Sequence, residues 1–420
     1  MADTYRKRIA DRLLAEKLSY MGAVLIVGPK WCGKTATASQ AAKSRLLMQN
    51  PDKSAAYMMA ADTKPSRLLK GDVPRLIDEW QMAPVLWDAV RYEVDRRGTP
   101  GQFILTGSAV PTDNAVMHTG TGRIARLAMH TMSLYETGES SGSVSLLSLF
   151  DAPEDVDGEA DFSIEQAAHA ICRGGWPATL NVSPAHSLNL AREYVEAIIE
   201  QDVSRIDGVE KNPDRVRALL RSLSRNISTM AANQTLLDDT AGGDTLTAPT
   251  LSVYLNALRR IFVVEDQPAW LPSLRSKTAM RTSAKRQFCD PSVAAAVMGL
   301  TPAKLLNDFN TFGFLFEALC VHDMRVYTRA IGGDVYHYRD KNNLEADIVL
   351  SLHDGRWAAV EVKMGMSQIE EAATNLKKLA AKVDTDKMQQ PAFLMVLTAG
   401  EFAYRREDGV YVVPLACLAP

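Results

Sequence analysis

Residues 28–35 read Gly28-Pro29-Lys30-Trp31-Cys32-Gly33-Lys34-Thr35, a complete G-x-x-x-x-G-K-T string. Backbone N–H groups in such a loop, together with the start of the helix behind it, make a concave positive cradle for phosphate oxygens. Gly28, Pro29, Lys30, Cys32, Gly33 and Ala36 are the expected walls of that cradle. Lys34 supplies a point charge at the outer phosphates, and Thr35 a hydroxyl for Mg²⁺. ATP and Mg²⁺ are therefore the expected cofactors. Further on, Pro74-Arg75-Leu76-Ile77-Asp78-Glu79-Trp80 is a short apolar run ending in two acids. At a strand tip, Asp78 would complete the Mg²⁺ shell, and Glu79 would orient and deprotonate the attacking water. Thr106 or Ser108, at the polar tip of 102–108, would sense the γ-phosphate. Arg123, in the Gly-rich stretch 119–126, would reach a neighbouring subunit's phosphate and stabilise transition-state charge.

A second set of reactive types lies near the C-terminus. Asp347 precedes Glu361-Val362-Lys363, and Glu361 and Lys363 share a face if they lie on a strand. Asp347 and Glu361 would bind Mg²⁺, and Lys363 would position a water or stabilise a pentavalent phosphate. Geometry constrains this reading. A two-residue hairpin at Asp354-Gly355 pairs Asp347 with Val362 and puts it on the face opposite Glu361. The metal site therefore requires an odd-length loop or a bulge.

The elements that must position these residues alternate between strand and helix. A helix is expected over Tyr5–Leu18, a strand over Ala23–Val27 and a helix from Thr35. A second strand is expected over Ala55–Ala60, then strands at 74–80 and 102–108 separated by a helix over 83–97. That order predicts a doubly wound parallel α/β sheet with the site at the strands' C-terminal ends. Residues 138–165 carry eight acidic residues and no Lys or Arg, and read as a mobile acidic linker. Helices are expected over 163–173, 186–205 and 212–227.

Thr247–Arg260 reads as a capped helix burying Leu251, Tyr254, Leu255 and Leu258. The strand expected at Ile261–Glu265 would make it part of a winged helix-turn-helix. Asn256, Arg259 and Arg260 would then face DNA. Arg275, Lys277, Arg281, Lys285 and Arg286, with no acid among them, would contact phosphates. The alternative is a solvated basic loop beside a winged helix used for subunit packing. The expected domains are 1–137 (ATPase), 138–165 (linker), 166–290 (helical, winged helix) and 291–420 (mixed α/β). Five scattered cysteines without C-x-x-C spacing argue for a reducing compartment. With no membrane-length apolar run and no signal-like N-terminus, a cytoplasmic protein is expected.

The loop, Ile77-Asp78-Glu79, Leu105-Thr106-Gly107-Ser108, Gly122-Arg123 and Met132-Ser133-Leu134-Tyr135-Glu136 together resemble a widespread group of bacterial and archaeal AAA+-type ATPases. Proteins of that group carry a C-terminal domain of unknown function. Arg173-Gly174-Gly175-Trp176-Pro177 and Phe288-Cys289-Asp290-Pro291 resemble its mid-chain landmarks. The resemblance implies an ATPase core, a helical or winged-helix middle, a nuclease-like end and a homo-oligomer, a hexameric ring. The order of Asp347, Glu361 and Lys363 resembles the PD-(D/E)XK nuclease core, and Glu317 matches the acid its first helix often supplies. The function expected is ATP hydrolysis coupled to rearrangement on DNA, branched or forked. An ATP-dependent endonuclease and a nucleotide-dependent switch for a protein partner are the alternatives.

Overall fold

Apolar side chains at every position of 23–27 and 103–105 call for strands buried on both faces, as in a parallel sheet flanked by helices. The computed structural model describes residues 5–107, 120–152, 156–205, 209–241, 246–271, 283–383 and 388–420. The chain divides into two units. The first comprises Met1–Thr131 with Asp202–Glu210 and Ala257–Phe262; the second is the remainder.

In the first unit the chain runs α1 (Ile9–Tyr20), β1 (Ala23–Val27), α2 (Lys34–Ala41), β2 (Ser44–Leu47), α3 (Ser54–Thr63), β3 (Arg75–Asp78), α4 (Val85–Arg97), β4 (Phe103–Thr106) and β5 (Ile124–Ala128). The five strands are parallel, in the order β2-β3-β4-β1-β5. Alternate residues of the central strands feed two cores. Leu25, Ile77, Phe103 and Leu105 pack with Leu86, Trp87 and Val90 of α4. Val24, Ile26, Leu76 and Ile104 pack with Leu14 and Leu18 of α1 and Ala38 of α2. Each Val, Leu, Ile or Phe side chain among these contributes about 1.5–3 kcal/mol on burial. Register then places the chemistry: Ile26 pairs with Thr106, and Thr106 with Asp78. The tips of β1, β3 and β4 end side by side, next to the loop that leaves β1.

The second strand differs from expectation. Residues 55–60 lie in α3, because the Ala- and Met-rich Ser54–Thr63 favours helix. The strand in that place is Ser44–Leu47, with Leu46 its only buried residue.

The second unit begins with α5 (Leu134–Thr137), capped reciprocally by Ser133 and Glu136. Then come β6 (Val144–Ser145), α6 (Leu146–Asp151), β7 (Gly158–Glu159), α7 (Ile164–Arg173) and α8 (Pro184–Ala197). The short α9 (Val203–Arg205), whose residues belong to the first unit, precedes α10 (Pro213–Arg225), α11 (Asn233–Asp239) and α12 (Ala248–Arg260), whose last turn from Ala257 also belongs to the first unit. After these follow α13 (Pro291–Val297), α14 (Pro302–Leu306), α15 (Phe309–Ala330), β8 (Gly333–Arg339), β9 (Glu345–Leu352), β10 (Trp357–Lys363), α16 (Ile369–Lys382), β11 (Leu394–Thr398), β12 (Phe402–Arg405), β13 (Tyr411–Pro414) and β14 (Leu418–Ala419). A seven-stranded mixed sheet has the order β7-β12-β13-β11-β10-β9-β8. Ile369, Ala372, Ala373, Leu376 and Leu379 of α16 pack on Trp357, Ala359 and Val396.

Two expectations are corrected here. Much of the acidic stretch 138–165 is built into this unit. β6 pairs with β14, β7 pairs with β12, and Arg356 bridges to Asp151 at 2.7 Å. Leu146, Leu149 and Phe150 are buried and anchor it, while among its described acids Asp151, Asp157, Glu159, Asp161 and Glu165 are exposed and Glu139 pairs with Arg173. The expected wing strand at 261–265 is absent among the described residues. α12 does bury Leu251, Tyr254, Leu255 and Leu258. Phe262 then adopts a left-handed conformation (φ 59°), its N–H bonding to the Arg259 carbonyl, and this turns the chain. Only isolated bridges such as Val264 to Phe288 follow.

The two mid-chain landmarks meet. Asp290 caps α13 through the Ser292 N–H (2.9 Å) and accepts the Gly175 N–H (2.9 Å), while the Trp176 indole donates to Ser292 Oγ (2.9 Å). Asp290→Ala should therefore cost about 2–4 kcal/mol, a lost cap plus a buried unsatisfied N–H. Urea denaturation would show this as a lower midpoint at unchanged slope; a loss under about 0.5 kcal/mol would mean that water replaces the carboxylate.

Candidate nucleotide-binding site and a C-terminal carboxylate–lysine cluster

The loop between β1 and α2 is held from several sides. A Cβ on Gly28 (φ 150°) would lie 2.0 Å from the Met129 carbonyl oxygen, so only glycine permits this approach. Buried Arg8 donates to the Cys32 carbonyl (2.8 Å) and the His130 carbonyl (2.9 Å). Buried Cys32 points its Sγ at the Met129 carbonyl (3.8 Å). Gly33 caps α2, and Ala36 sits exposed in that helix's first turn. Lys34 is buried and donates to the carbonyls of Gly28 (2.9 Å) and Pro29 (2.7 Å), curling the loop around its own ammonium. Lys30 pairs with Asp202 at 2.5 Å.

The strand tips complete the arrangement. Asp78 Oδ1 accepts from both Thr35 Oγ1 (2.7 Å) and Thr106 Oγ1 (2.5 Å). A hydroxyl and a carboxylate in contact at the end of a phosphate-type loop form a hard-oxygen donor set of the kind Mg²⁺ prefers. Glu79 follows in a left-handed conformation (φ 55°), a position that costs a non-glycine residue about 1 kcal/mol or more. It is fixed by a short hydrogen bond from Gln81 Nε2. Burial raises its pKa, Asp78 adds to the rise, and Gln81, Lys34 and Lys30 oppose it. Arg123 lies apart from these, just before the edge strand β5. It is half-exposed, paired with Asp95 at 2.8 Å and bonded to the Thr121 carbonyl. Ser108 lies outside the described residues.

In the second unit, Ala359 pairs with Val349 and Val360 with Ile348. Continuing that register one step sets Asp347 across from Glu361, on the same face. The connection is a three-residue loop, His353-Asp354-Gly355. The Leu352 N–H bonds to the Arg356 carbonyl, and Gly355 (φ 93°) occupies the left-handed position. The odd loop supplies the parity that a two-residue turn denies.

Asp347 Oδ2 accepts the Val362 N–H (3.0 Å), and Glu361 Oε2 accepts from Lys363 Nζ (3.1 Å). Lys285 was expected on a DNA-facing surface. It is instead buried, its ammonium bonded to Glu317 Oε1 (2.7 Å) and Asp347 Oδ1 (3.0 Å). Burial opposes charge on Lys285, but Asp347 and Glu317 outweigh it and raise its pKa. Burial pushes Glu317 up to about 7, with Asp347 adding to the rise. Burial and then the neighbouring Asp347 push the Glu361 carboxyl well above the usual carboxylate range. Burial also works against ionised Asp347, but Lys285 and Lys363 overcome it and hold that carboxyl well below the usual range. A cleft of about 690 Å³ opens beside the cluster, lined by Phe309, Phe314, Glu317, Asp347, Lys363 and Gln368 among others.

Arg286 also turns inward, bonded to Asp266 (3.2 Å), Asn233 (2.8 Å) and the Ala231 carbonyl (3.0 Å). The physical reason is shared with Lys285: both lie in a segment that bridges to Gln267 and Val264, which directs their side chains toward internal acceptors. Asn256 and Arg259 are exposed on α12, with Arg260 half-buried. Arg275, Lys277 and Arg281 lie outside the described residues. Sequence reasoning did not find Arg8 or Gln81 as supports of the loop and of Glu79. Gln81 had a local signal, lying two residues after the acid it holds; Arg8 had none, its acceptors being 24 and 122 residues away.

Comparison with known proteins adds to this geometry. Residues 21–138 match a family described as an AAA domain. Residues 164–304 and 312–418 match two families described as domains of unknown function, DUF8612 and DUF4143. Uncharacterized proteins of Mycobacterium bovis and Mycobacterium tuberculosis are each 22% identical over 414 residues, covering 97% of this chain and 83% of theirs. Among solved structures, the Walker-type ATPase of Pyrococcus abyssi aligns at 12% identity, covering 69% of this chain and 94% of that one, with a TM-score of 0.40. Drosophila ORC bound to DNA aligns at 14% identity with the same coverages and a TM-score of 0.21. No helix among the described residues is long and apolar enough to cross a membrane. Over residues 21–138 the chain is thus similar to the AAA domain family, and its five-stranded parallel sheet with a phosphate-type loop after β1 has the arrangement of a P-loop nucleotide-binding domain.

Proposed function

We propose that the chain is a Mg²⁺-dependent ATPase that couples hydrolysis to rearrangement of domains on DNA. The observation that carries the ATPase reading is the convergence of Thr35 and Thr106 on Asp78, beside Glu79 and at the mouth of the loop. Loop N–H groups and the α2 N-terminus would cradle the phosphates, and Lys34 would leave its loop carbonyls to bind the outer ones. Thr35 and Asp78 would hold Mg²⁺, which when bound neutralises developing phosphate charge. Thr106 keeps Asp78 oriented. Glu79 would receive a proton from the attacking water, and burial, which raises its pKa, makes it a stronger base than a solvated carboxylate.

The DNA part of the reading is supported by exposed Asn256 and Arg259 on α12 and by Arg275, Lys277 and Arg281 in the sequence that follows it. Steady-state ATP hydrolysis in Mg²⁺ buffer, with single-stranded, duplex or forked DNA, tests it, with Lys34→Ala as the inactive control. Stimulation of at least severalfold by one of these DNAs is expected, and the ranking names the preferred structure. A rate unmoved by all three sinks DNA action and favours a nucleotide switch for a protein partner. The C-terminal domain is proposed to be PD-(D/E)XK-like on the order of Asp347, Glu361 and Lys363 and the position of Glu317.

A further inference from the structure

We propose that Lys285 is a tethered cation occupying the place that a divalent metal would take in the C-terminal carboxylate cluster, so that the cluster excludes the metal that cutting would require. The inference rests on the proposed nuclease-like character of that domain and not on the ATPase reading.

The donor set shows why. A catalytic Mg²⁺ site needs one or two carboxylates whose oxygens are free to approach the ion to about 2.0–2.1 Å, with substrate and water completing its shell. Here four of the six carboxylate oxygens of Glu317, Asp347 and Glu361 are engaged. Glu317 Oε1 and Asp347 Oδ1 both accept from the Lys285 ammonium, at 2.7 and 3.0 Å. Asp347 Oδ2 is taken by the Val362 N–H, and Glu361 Oε2 by Lys363. Among the described residues no group of three or more His, Cys, Asp or Glu side chains is arranged to hold a metal ion. Lys285 is 5% exposed, so its charge is committed to these partners and not to solvent. A divalent ion would have to meet a buried ammonium at close range, and like charges in a buried site repel strongly.

Lys285 is also fastened by its backbone. Its N–H and carbonyl exchange hydrogen bonds with Gln267 (2.9 Å each way), and the Gln267 amide donates to the Asp347 carbonyl (2.9 Å). The segment that delivers the cation is thus bonded to the strand that carries the acid. Removing the ammonium would take the Lys285 charge from both Glu317 and Asp347 and leave two buried carboxylates short of positive charge, a state that a hard divalent cation relieves.

The test is Mn²⁺ binding to the nucleotide-free full chain, read by electron paramagnetic resonance. Wild type is expected to show no Asp347-dependent site. Lys285→Met should gain one Mn²⁺ per chain, and Lys285→Met combined with Asp347→Asn should lose it again. Should Lys285→Met fail to fold, Lys285→Gln, which keeps hydrogen-bond donors without the charge, takes its place with the same expected gain. If neither folds, amine labelling of the wild type decides: Lys285 should stay protected in millimolar Mn²⁺. A wild-type site abolished by Asp347→Asn alone overturns the proposal. So does a folded Lys285 variant that gains no Mn²⁺, or Mn²⁺-induced labelling of Lys285. None of these readouts involves ATP, so failure here leaves the ATPase reading untouched.

Discussion

Glu79→Gln is expected to lower kcat for ATP hydrolysis by about 10²–10⁴-fold, the usual contribution of a positioned general base. The amide is isosteric but cannot take the water's proton. Binding should change little, because Glu79 is no part of the phosphate cradle, and Gln81, which donates to Glu79 Oε2, can donate equally to an amide oxygen. The left-handed backbone at Glu79 is not altered by this substitution. The measurement is a pair: single-turnover hydrolysis, and titration with a fluorescent ATP analogue. Slow hydrolysis with unchanged affinity is the expected result. A variant that hydrolyses within threefold of wild type removes Glu79 from the role and points to a base elsewhere. A variant that loses binding as well assigns Glu79 to shaping the loop.

Chemistry carried by contiguous residues was readable before the fold was known. The phosphate loop needs a strand before it and a helix after it. The apolar run 23–27 and the start of α2 announce both locally. The Asp-Glu pair works the same way, since an apolar strand must bring it to the sheet's tip. Elements without a periodic signal were not readable. β2 buries a single residue, so nothing in its composition separates it from a loop, whereas the Ala-rich stretch after it looked strand-like and packed as helix. The Asp354-Gly355 pair announced a turn but not its length. Both a two-residue turn and a three-residue loop with glycine in the left-handed position use that dipeptide, and one residue of difference decides which face Asp347 occupies.

The role of Lys285 was hidden for another reason. Its two acceptors lie 32 and 62 residues downstream, and in sequence it is one basic residue among five. A charge run is usually solvated; only the bridge to Gln267 turns this member of it inward. Burial changes the meaning of the residue. Exposed, a lysine attracts polyanions at long range. Buried between two carboxylates, it fixes their geometry and removes the negative potential that would draw in a metal.

Arg123→Ala is expected to reduce hydrolysis by about 10³-fold or more if the guanidinium completes a neighbouring subunit's site, the range found when such an arginine is removed. Its placement suits that task. Arg123 immediately precedes the edge strand of the sheet, is half-exposed, and lies apart from the loop of its own chain. Its partner Asp95 is itself exposed, and a surface pair of this kind is worth at most about 1 kcal/mol, so the side chain can leave it at little cost. Asp95→Ala should accordingly leave activity intact or raise it. Mixing separates action across subunits from action within one. Arg123→Ala retains its own loop and Lys34→Ala retains its own Arg123, so each alone is inactive and a mixture rebuilds complete sites. Recovery of a fraction of wild-type activity on mixing, rising with total protein concentration, is the expected result. If Arg123→Ala hydrolyses ATP at the wild-type rate, the residue is a surface cation and no more. If it is inactive and mixing restores nothing, the arginine serves the site of its own chain, and the case for an oligomer built around this site falls with it.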